Sequence, residues 1–378
     1  MPCGFLPAMR FECLAKEGLA RRGRLTLGHG TVDTPAFMPV GTYGVVKALD
    51  PEDLQATGAQ MILGNTLHLA LRPGLEVIGP LGGLHAFMGW PGPILTDSGG
   101  FQVMSLAHRR TLDDEGVTFQ APVDGRRFHL TPERAIEIQQ QLGSDIMMVL
   151  DQCPSYPAPR EEVETAMQRS LRWAARCRSA QTGGSGALFG IIQGGIDPDL
   201  RRRSFEDLAA LQFDGYAVGG LAVGEPATAR EAVLDALSAL LPADRPRYLM
   251  GVGKPADLVA AVCRGIDLFD CVLPTRNGRN AHLFTGAGIL RLRNSRYRKD
   301  ESPIEPGCPC RACRHHSRAY LHHLDRIGDP LALRLLTLHN LTYYQRLVAR
   351  LREAIQAGRL AECVADFEHQ QQTEAAVR

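Results

Sequence analysis

The chain has 378 residues, 44% of them hydrophobic and 22% charged, with a formal net charge of +1. This composition excludes a disordered, collagen-like or membrane-embedded protein, and no window reaches the roughly 18 apolar residues of a membrane helix. A near-zero charge also argues against a polyanionic partner, provided the two signs are mixed along the chain.

The segment Met1 to Arg10 lacks the basic start and apolar stretch of a signal peptide. Short apolar runs then recur, each ending in glycine or a polar residue. They are Phe37 to Val40 before Gly41, Met61 to Leu63 before Gly64 and Asn65, and Ile94 to Thr96 before Asp97. Next come Ile146 to Leu150 before Asp151, Leu188 to Ile192 before Gln193, and Tyr216 to Val218 before Gly219 and Gly220. The last two are Tyr248 to Met250 before Gly251, and Leu268-Phe269 before Asp270. Runs this short and apolar suit strands buried on both faces of a parallel sheet. Helices lie between them. Thr131-Pro132-Glu133 supplies an N-cap, a proline at the first position and an early acid, and Gly143 closes that helix. Asp50-Pro51-Glu52 and Lys254-Pro255 open others, and 160–180 and 226–241 read as two more. Residues 179–186 read as a loose loop.

About eight strands alternating with helices predict a (β/α)8 barrel, which can occupy most of this length as one domain. No Gly-x-Gly-x-x-Gly follows the first strand, against a dinucleotide fold. Barrel chemistry sits at the C-terminal strand ends. Asn65, Asp97, Asp151, Gln193, Gly220, Gly251 and Asp270 would therefore converge on one mouth. A single aspartate there is commonly a turn or cap residue; three at one mouth point to chemistry.

Seven of the ten cysteines are scattered, while Cys308, Cys310 and Cys313 fall within six residues. Three thiolates this close predict a tetrahedral zinc site in a cytosolic, reduced protein. The fourth ligand lies among His315, His316, His322, His323 and His339. The first two are too near to fold back comfortably, and spacing does not choose among the rest. A fully ligated zinc is structural, because it has no open position for water.

The stretch from Pro274 to Lys299 holds six arginines and one lysine and no acid. Arg291 and Arg293 alternate with Leu290 and Leu292, so one strand face would be basic. The signs are in fact segregated. Residues 1–270 hold 25 basic and 31 acidic side chains, and residues 271–378 hold 17 and 10. The neutral total averages an acidic barrel and a basic C-terminal part suited to phosphate contacts.

Several motifs resemble those of the tRNA-guanine transglycosylases: Thr96-Asp97-Ser98-Gly99-Gly100-Phe101-Gln102, Phe189 to Gly194, Gly219 to Glu225, Phe269 to Arg276, and the Cys-x-Cys-x-x-Cys cluster with Leu338-His339-Asn340. The resemblance runs from about Phe11 to about Phe367, and it is to the bacterial members. It implies a (β/α)8 barrel with a C-terminal zinc subdomain, divided here as 1–275, 276–345 and 346–378, the last segment packing back on the barrel. It implies exchange of the wobble guanine of tRNAs, in a U-G-U context, for 7-aminomethyl-7-deazaguanine through a covalent enzyme–RNA intermediate. Asp270 would be the nucleophile and Asp97 the general acid/base, and His339 would complete the zinc site with Cys308, Cys310 and Cys313. The base pocket would be Asp97, Ser98, Gly99, Gly100, Phe101, Asp151, Gln193, Gly220, Leu221 and Met250. Phe101 and Met250 would sandwich the ring, and the Leu221 carbonyl would meet the aminomethyl group. RNA contacts would come from Gly251, Val252, Gly253, Lys254, Pro255, Ala256 and Asp257, and from Thr275, Arg276, Asn277, Gly278 and Arg279. Bulk at Val223 matches members that use the small precursor base; Cys153 also lies where substrate class is set. Gln152 departs from the glutamate common in bacterial relatives. The resemblance further implies a cytoplasmic homodimer. A non-catalytic tRNA-binding zinc protein on the same fold is the alternative, and retention of both Asp97 and Asp270 argues against it.

Overall fold

A computed structural model describes residues 8–100, 110–121, 123–183 and 186–375. Phe101, and Gly184 and Ser185 of the expected loop, lie outside the described residues.

Every apolar run named above becomes a strand of one parallel sheet. Its order is Ala36–Met38, Leu268–Asp270, Arg247–Leu249, Gly215–Val218, Ala187–Ile192, Ile146–Met148, Ile94–Thr96, Ile62–Gly64 and Val40–Gly41. The two end segments are one passage of chain interrupted at Pro39, which has no N–H to give to a ladder. Phe37 pairs with Phe269 on one side and Val40 with Leu63 on the other. The Pro39 carbonyl accepts the Leu63 N–H at 3.0 Å. Residues 36–41 therefore close the sheet on itself, and the architecture is an eight-stranded parallel barrel. The strands are apolar throughout because both faces are covered: Ile62, Leu63, Ile146, Met147, Met148 and Ala187 to Ile192 are all buried.

Helices fill the crossovers as their caps predict. Asp50 accepts the Asp53 N–H at 2.8 Å to open Pro51–Thr57. Thr131 accepts from Arg134 to open Pro132–Leu142, and Gly143, at φ 74°, ends it in the left-handed region. Arg160–Ala180 has the expected bounds, so the loop expected from 179 begins two residues later. Ala227–Ser238 stops three residues short of 241.

Two small antiparallel sheets decorate the barrel. Arg10–Glu17, Ala20–Leu27 and Gly30–Thr34 form one, and Arg110–Leu112, Val117–Gln120 and Arg127–Leu130 the other. After the last barrel strand come the hairpin His282–Thr285/Gly288–Arg291, the short helices Arg311–His315 and Arg318–Arg326, and the 28-residue helix Pro330–Ala357. That long helix ties the basic part to the barrel. Gln345 donates to the Phe37 carbonyl at 2.9 Å, and Tyr344 donates to the Gly253 carbonyl. It runs through position 345 without a break. In the hairpin, Leu290 and Leu292 are buried and Arg291 and Arg293 exposed, as alternation requires. The strand ends at Arg291, however, and Arg293 is paired with Asp325 at 2.9 Å. The expected wholly basic face is thus partly neutralised by a helix the alternation did not anticipate.

Candidate active site

The C-terminal strand ends converge on a cavity of about 390 Å3. Asn65, Asp97, Asp151, Gly220, Gly251 and Asp270 line it. Gln193 stands behind Asp151, donating to its Oδ2 at 2.7 Å. The seven strand-end residues therefore meet at one mouth.

Asp270 closes its strand beside Tyr248. In register Tyr248 faces Leu268, so its hydroxyl reaches two residues further and donates to Asp270 Oδ1 at 2.7 Å. The Gly251 N–H donates to the same oxygen at 2.7 Å. Burial lifts the Asp270 carboxyl above its ordinary value; these two donors pull it down and the negative charge of Asp97 pushes it up again. Burial and Asp270 together hold the Tyr248 phenol far above its usual range, so it acts as a donor.

Asp97 is held by the start of the neighbouring helix. The Thr66 N–H donates to Oδ1 at 2.9 Å, the Gly99 N–H to Oδ1 at 3.2 Å, and the Asn65 amide to Oδ2.

Asp151, Ser98 and Gln193 form the third element. Ser98 donates to Asp151 Oδ1 at 3.2 Å and itself accepts the Gly100 N–H at 3.2 Å. Burial pushes the Asp151 carboxyl up to about 6, against the pull of Gln193 and Ser98. The carboxylate also fixes the Gln193 amide, whose Nε2 must face it. Its Oε1 is then buried with no partner among the described residues. A Cβ on Gly220 would lie 2.3 Å from that oxygen, and Gly220 has φ 65°, so both space and backbone require glycine. Met250 and Val223 complete the wall.

The loop after Gly220 is set by Glu225. Its Oε1 accepts the Ala222 N–H at 2.7 Å and its Oε2 the Val223 N–H at 2.9 Å, while Arg230 pairs with it at 2.9 Å. The Ala222 N–H points to Glu225, and N–H and C=O of a trans peptide are opposed. The Leu221 carbonyl therefore points away from Glu225. Gln152 is turned elsewhere, accepting from Arg169 at 2.6 Å.

The expected RNA segments border this mouth but not every residue reaches the surface. Gly251, Lys254 and Ala256 are exposed, Val252 and Gly253 buried, and Pro255 half-buried. Asp257 pairs with Arg230 at 2.8 Å. On the helix Leu273–Arg279, Arg276 is exposed and Asn277 and Arg279 half-buried. Thr275 and Gly278 face inward; a Cβ on Gly278 would lie 2.8 Å from the Thr337 backbone.

The fourth metal-ligand candidate is settled by the long helix. His339 Nδ1 lies 3.8, 3.6 and 3.3 Å from the sulfurs of Cys308, Cys310 and Cys313, and all four residues are buried. Its Nε2 donates to the Phe284 carbonyl at 2.8 Å, which leaves the Nδ1 lone pair facing the thiols. Three sulfurs and one imidazole nitrogen, buried and mutually within 4.8 Å, are the donor set of a tetrahedral ion, so the group fits one metal ion. His322 and His323 sit on the neighbouring helix, outside the cluster.

Sequence reasoning missed Tyr248 as the partner of Asp270, Glu225 as the clamp of the Leu221 loop, and His68, which lines the cavity. A tyrosine inside an otherwise aliphatic barrel strand was the available signal for the first. Burial lowers the His68 imidazole below its ordinary value.

Comparison with known proteins agrees with this geometry. The profile of the queuine tRNA-ribosyltransferase family matches residues 15–373. The chain is 58% identical to the queuine tRNA-ribosyltransferase of Pseudomonas putida over 359 residues, 95% of this chain and 97% of that one. It is equally similar to the Azotobacter vinelandii protein of that name, and 59% identical to the Stenotrophomonas maltophilia one over 353 residues, 93% of this chain and 94% of the other. The chain belongs to the queuine tRNA-ribosyltransferase family.

Proposed function

We propose that this protein is a tRNA-guanine transglycosylase. It exchanges the wobble guanine of tRNAs with a U-G-U anticodon context for 7-aminomethyl-7-deazaguanine, by double displacement. The observation that supports this best is two carboxylates, Asp270 and Asp97, on one cavity beside a polar rim built from Asp151, Gln193 and Gly220.

Both donors to Asp270 reach Oδ1, so Oδ2 is the oxygen that attacks C1′ of the ribose. The C1′–N9 bond breaks, its electron pair leaves with guanine, and an ester to Asp270 holds the RNA, as in retaining glycosidases. Asp97 supplies the proton to the departing base and takes one from N9 of the incoming base, which then displaces Asp270. One glycosidic bond replaces another, so no nucleotide cofactor enters. Asp151, with Ser98 and Gln193, accepts the N–H groups of the purine-like edge. The Gly220 N–H serves its carbonyl, Gly99 and Gly100 shape the floor, and Phe101 and Met250 stack on the ring. The Leu221 carbonyl takes the aminomethyl group, and Val223 limits the space around it.

Lys254, Ala256, Gly251, Arg276, Asn277 and Arg279 form the RNA-facing surface around the mouth. Val252, Gly253, Pro255, Asp257, Thr275 and Gly278 shape its backbone. The metal is one zinc per chain. Bound by Cys308, Cys310, Cys313 and His339, it would supply cross-linking and no chemistry, holding the basic part to the long helix. The barrel spans 1–275, the basic zinc part 276–345 and the C-terminal helical segment 346–378. The protein works as a cytoplasmic homodimer.

The test is covalent trapping. An anticodon stem-loop with 9-deazaguanine should give an RNA–protein adduct that survives denaturation in the wild type and is absent in Asp270→Asn. An adduct in that variant refutes the nucleophile. RNA binding with no adduct in the wild type favours the non-catalytic reading.

A further inference from the structure

At the end of the barrel opposite the cavity, three side chains from distant parts of the chain meet. His29 occupies the turn between Ala20–Leu27 and Gly30–Thr34, His85 lies on the helix Gly83–Met88, and Asp145 precedes the strand Ile146–Met148. His29 Nδ1 is 2.9 Å from Asp145 Oδ1, and His85 Nε2 is 3.0 Å from Oδ2. The two imidazole rings stack face to face, 3.6 Å between centroids and 14° from parallel. One ligand atom from each residue lies within 4.8 Å of the other two.

We infer that His29, His85 and Asp145 form a second divalent-cation site, of two imidazoles and one carboxylate, on the barrel floor. The donor set suits borderline ions such as Zn2+, Ni2+ or Cu2+; Ca2+ and Mg2+ prefer all-oxygen shells of six or more ligands. The carboxylate is already oriented for the task, because the His29 N–H donates to Oδ1 at 3.1 Å and the Ile94 N–H to Oδ2 at 2.8 Å. Burial pulls the Asp145 carboxyl up, but the hydrogen bonds from His85, Ile94 and His29 outweigh it and hold it below its ordinary value. It is therefore ionised, and both imidazoles face it with N–H groups. An ion bound here takes the lone pair of the facing nitrogen of each ring, with the ring proton on the other nitrogen. Asp145 is 3% exposed and His29 45%, so the site is anchored in the protein and open on one side for water to complete the shell. Its position at the strand starts separates it from Asp97 and Asp151 at the strand ends. The ion would clamp the N-terminal hairpin and the helix Gly83–Met88 to the barrel floor.

Zinc chloride titrated into the purified protein, already holding its first equivalent, provides the test. Metal content after equilibrium dialysis and calorimetry should both report a second equivalent, and added zinc should raise the Tm. His29→Ala removes a half-exposed side chain and should fold normally. It should keep the first equivalent and full base-exchange activity, weaken the second by at least about tenfold and abolish the zinc-dependent rise in Tm. His85→Ala should weaken the second equivalent in the same way, whereas His129→Ala, on a separate exposed strand, should not. One equivalent at saturating zinc in the wild type overturns the site, as does an undiminished second equivalent in His29→Ala.

Discussion

Asp267 and Asp270 lie three residues apart at opposite ends of one barrel strand, and the protein treats their charges differently. Asp267 is fully buried, and Arg21 clamps it: Nε donates to Oδ1 at 2.9 Å and NH2 to Oδ2. The Arg247 N–H adds a third bond at 2.7 Å. Among the described residues Asp270 receives a phenol and an amide from its neighbours, both neutral and both on one oxygen. A carboxylate paired with a guanidinium is satisfied and inert. One held by neutral donors beside a cavity keeps an oxygen, and its charge, for a ligand. At the mouth Asp97 and Asp151 share the cavity with Asp270 and are likewise held by amide and hydroxyl donors.

The contrast is broken most directly by neutralising each aspartate. Asp270→Asn should lower base exchange by at least about 10^4-fold, as loss of a nucleophile does, with a Tm at or above the wild type. Asp267→Asn should leave the pocket chemistry intact but lose about 3–5 kcal/mol of stability, because Arg21 is left buried without its partner. Denaturant titration reads that loss; a stable Asp267→Asn protein would remove the structural half of the comparison. Tyr248→Phe should lower exchange about 10- to 100-fold with little change in RNA affinity, since a hydrogen bond to a charged group contributes about 1.5–3 kcal/mol. Single-turnover kinetics distinguish that from weaker binding.

The smallest effect concerns Asp151, whose carboxyl is raised to about 6. On the proposed reading the ionised form binds the base, because a carboxylate accepts N–H groups. A raised value means the carboxylate takes up its proton already as pH falls through about 6, rather than near 4. Affinity for the free base should therefore be constant above about pH 7 and fall by about tenfold per unit well below 6. Calorimetry on Asp270→Asn isolates this from catalysis. A flat profile from pH 5 to 8 would show that Asp151 binds the base in its neutral form.

Much of this is legible in the sequence. The eight strands and their terminal Asn65, Asp97, Asp151, Gln193, Gly220, Gly251 and Asp270 follow from local apolar runs, because a strand covered on both faces must be apolar and must stop where polarity begins. Helix starts at Asp50 and Thr131 follow from capping chemistry within four residues. The cysteine cluster is equally local. Other features were not legible. Arg291 and Arg293 read as one basic face until Asp325, on a helix 32 positions away in sequence, claimed the second.

The sequence by itself therefore determined the kind of fold and which polar residues end its strands, because both depend on residues adjacent along the chain. Tertiary structure alone decided which partner each buried charge received. Tyr248 reaches Asp270 because neighbouring strands are in register. His339, not His322 or His323, faces the thiols because one turn of the long helix passes behind Phe284. His29 meets Asp145 only because the N-terminal hairpin folds under the barrel. These pairings span tens to hundreds of residues, and no spacing rule reaches that far. They arise where the closed sheet brings separate loops to one end and buried polar groups must find partners.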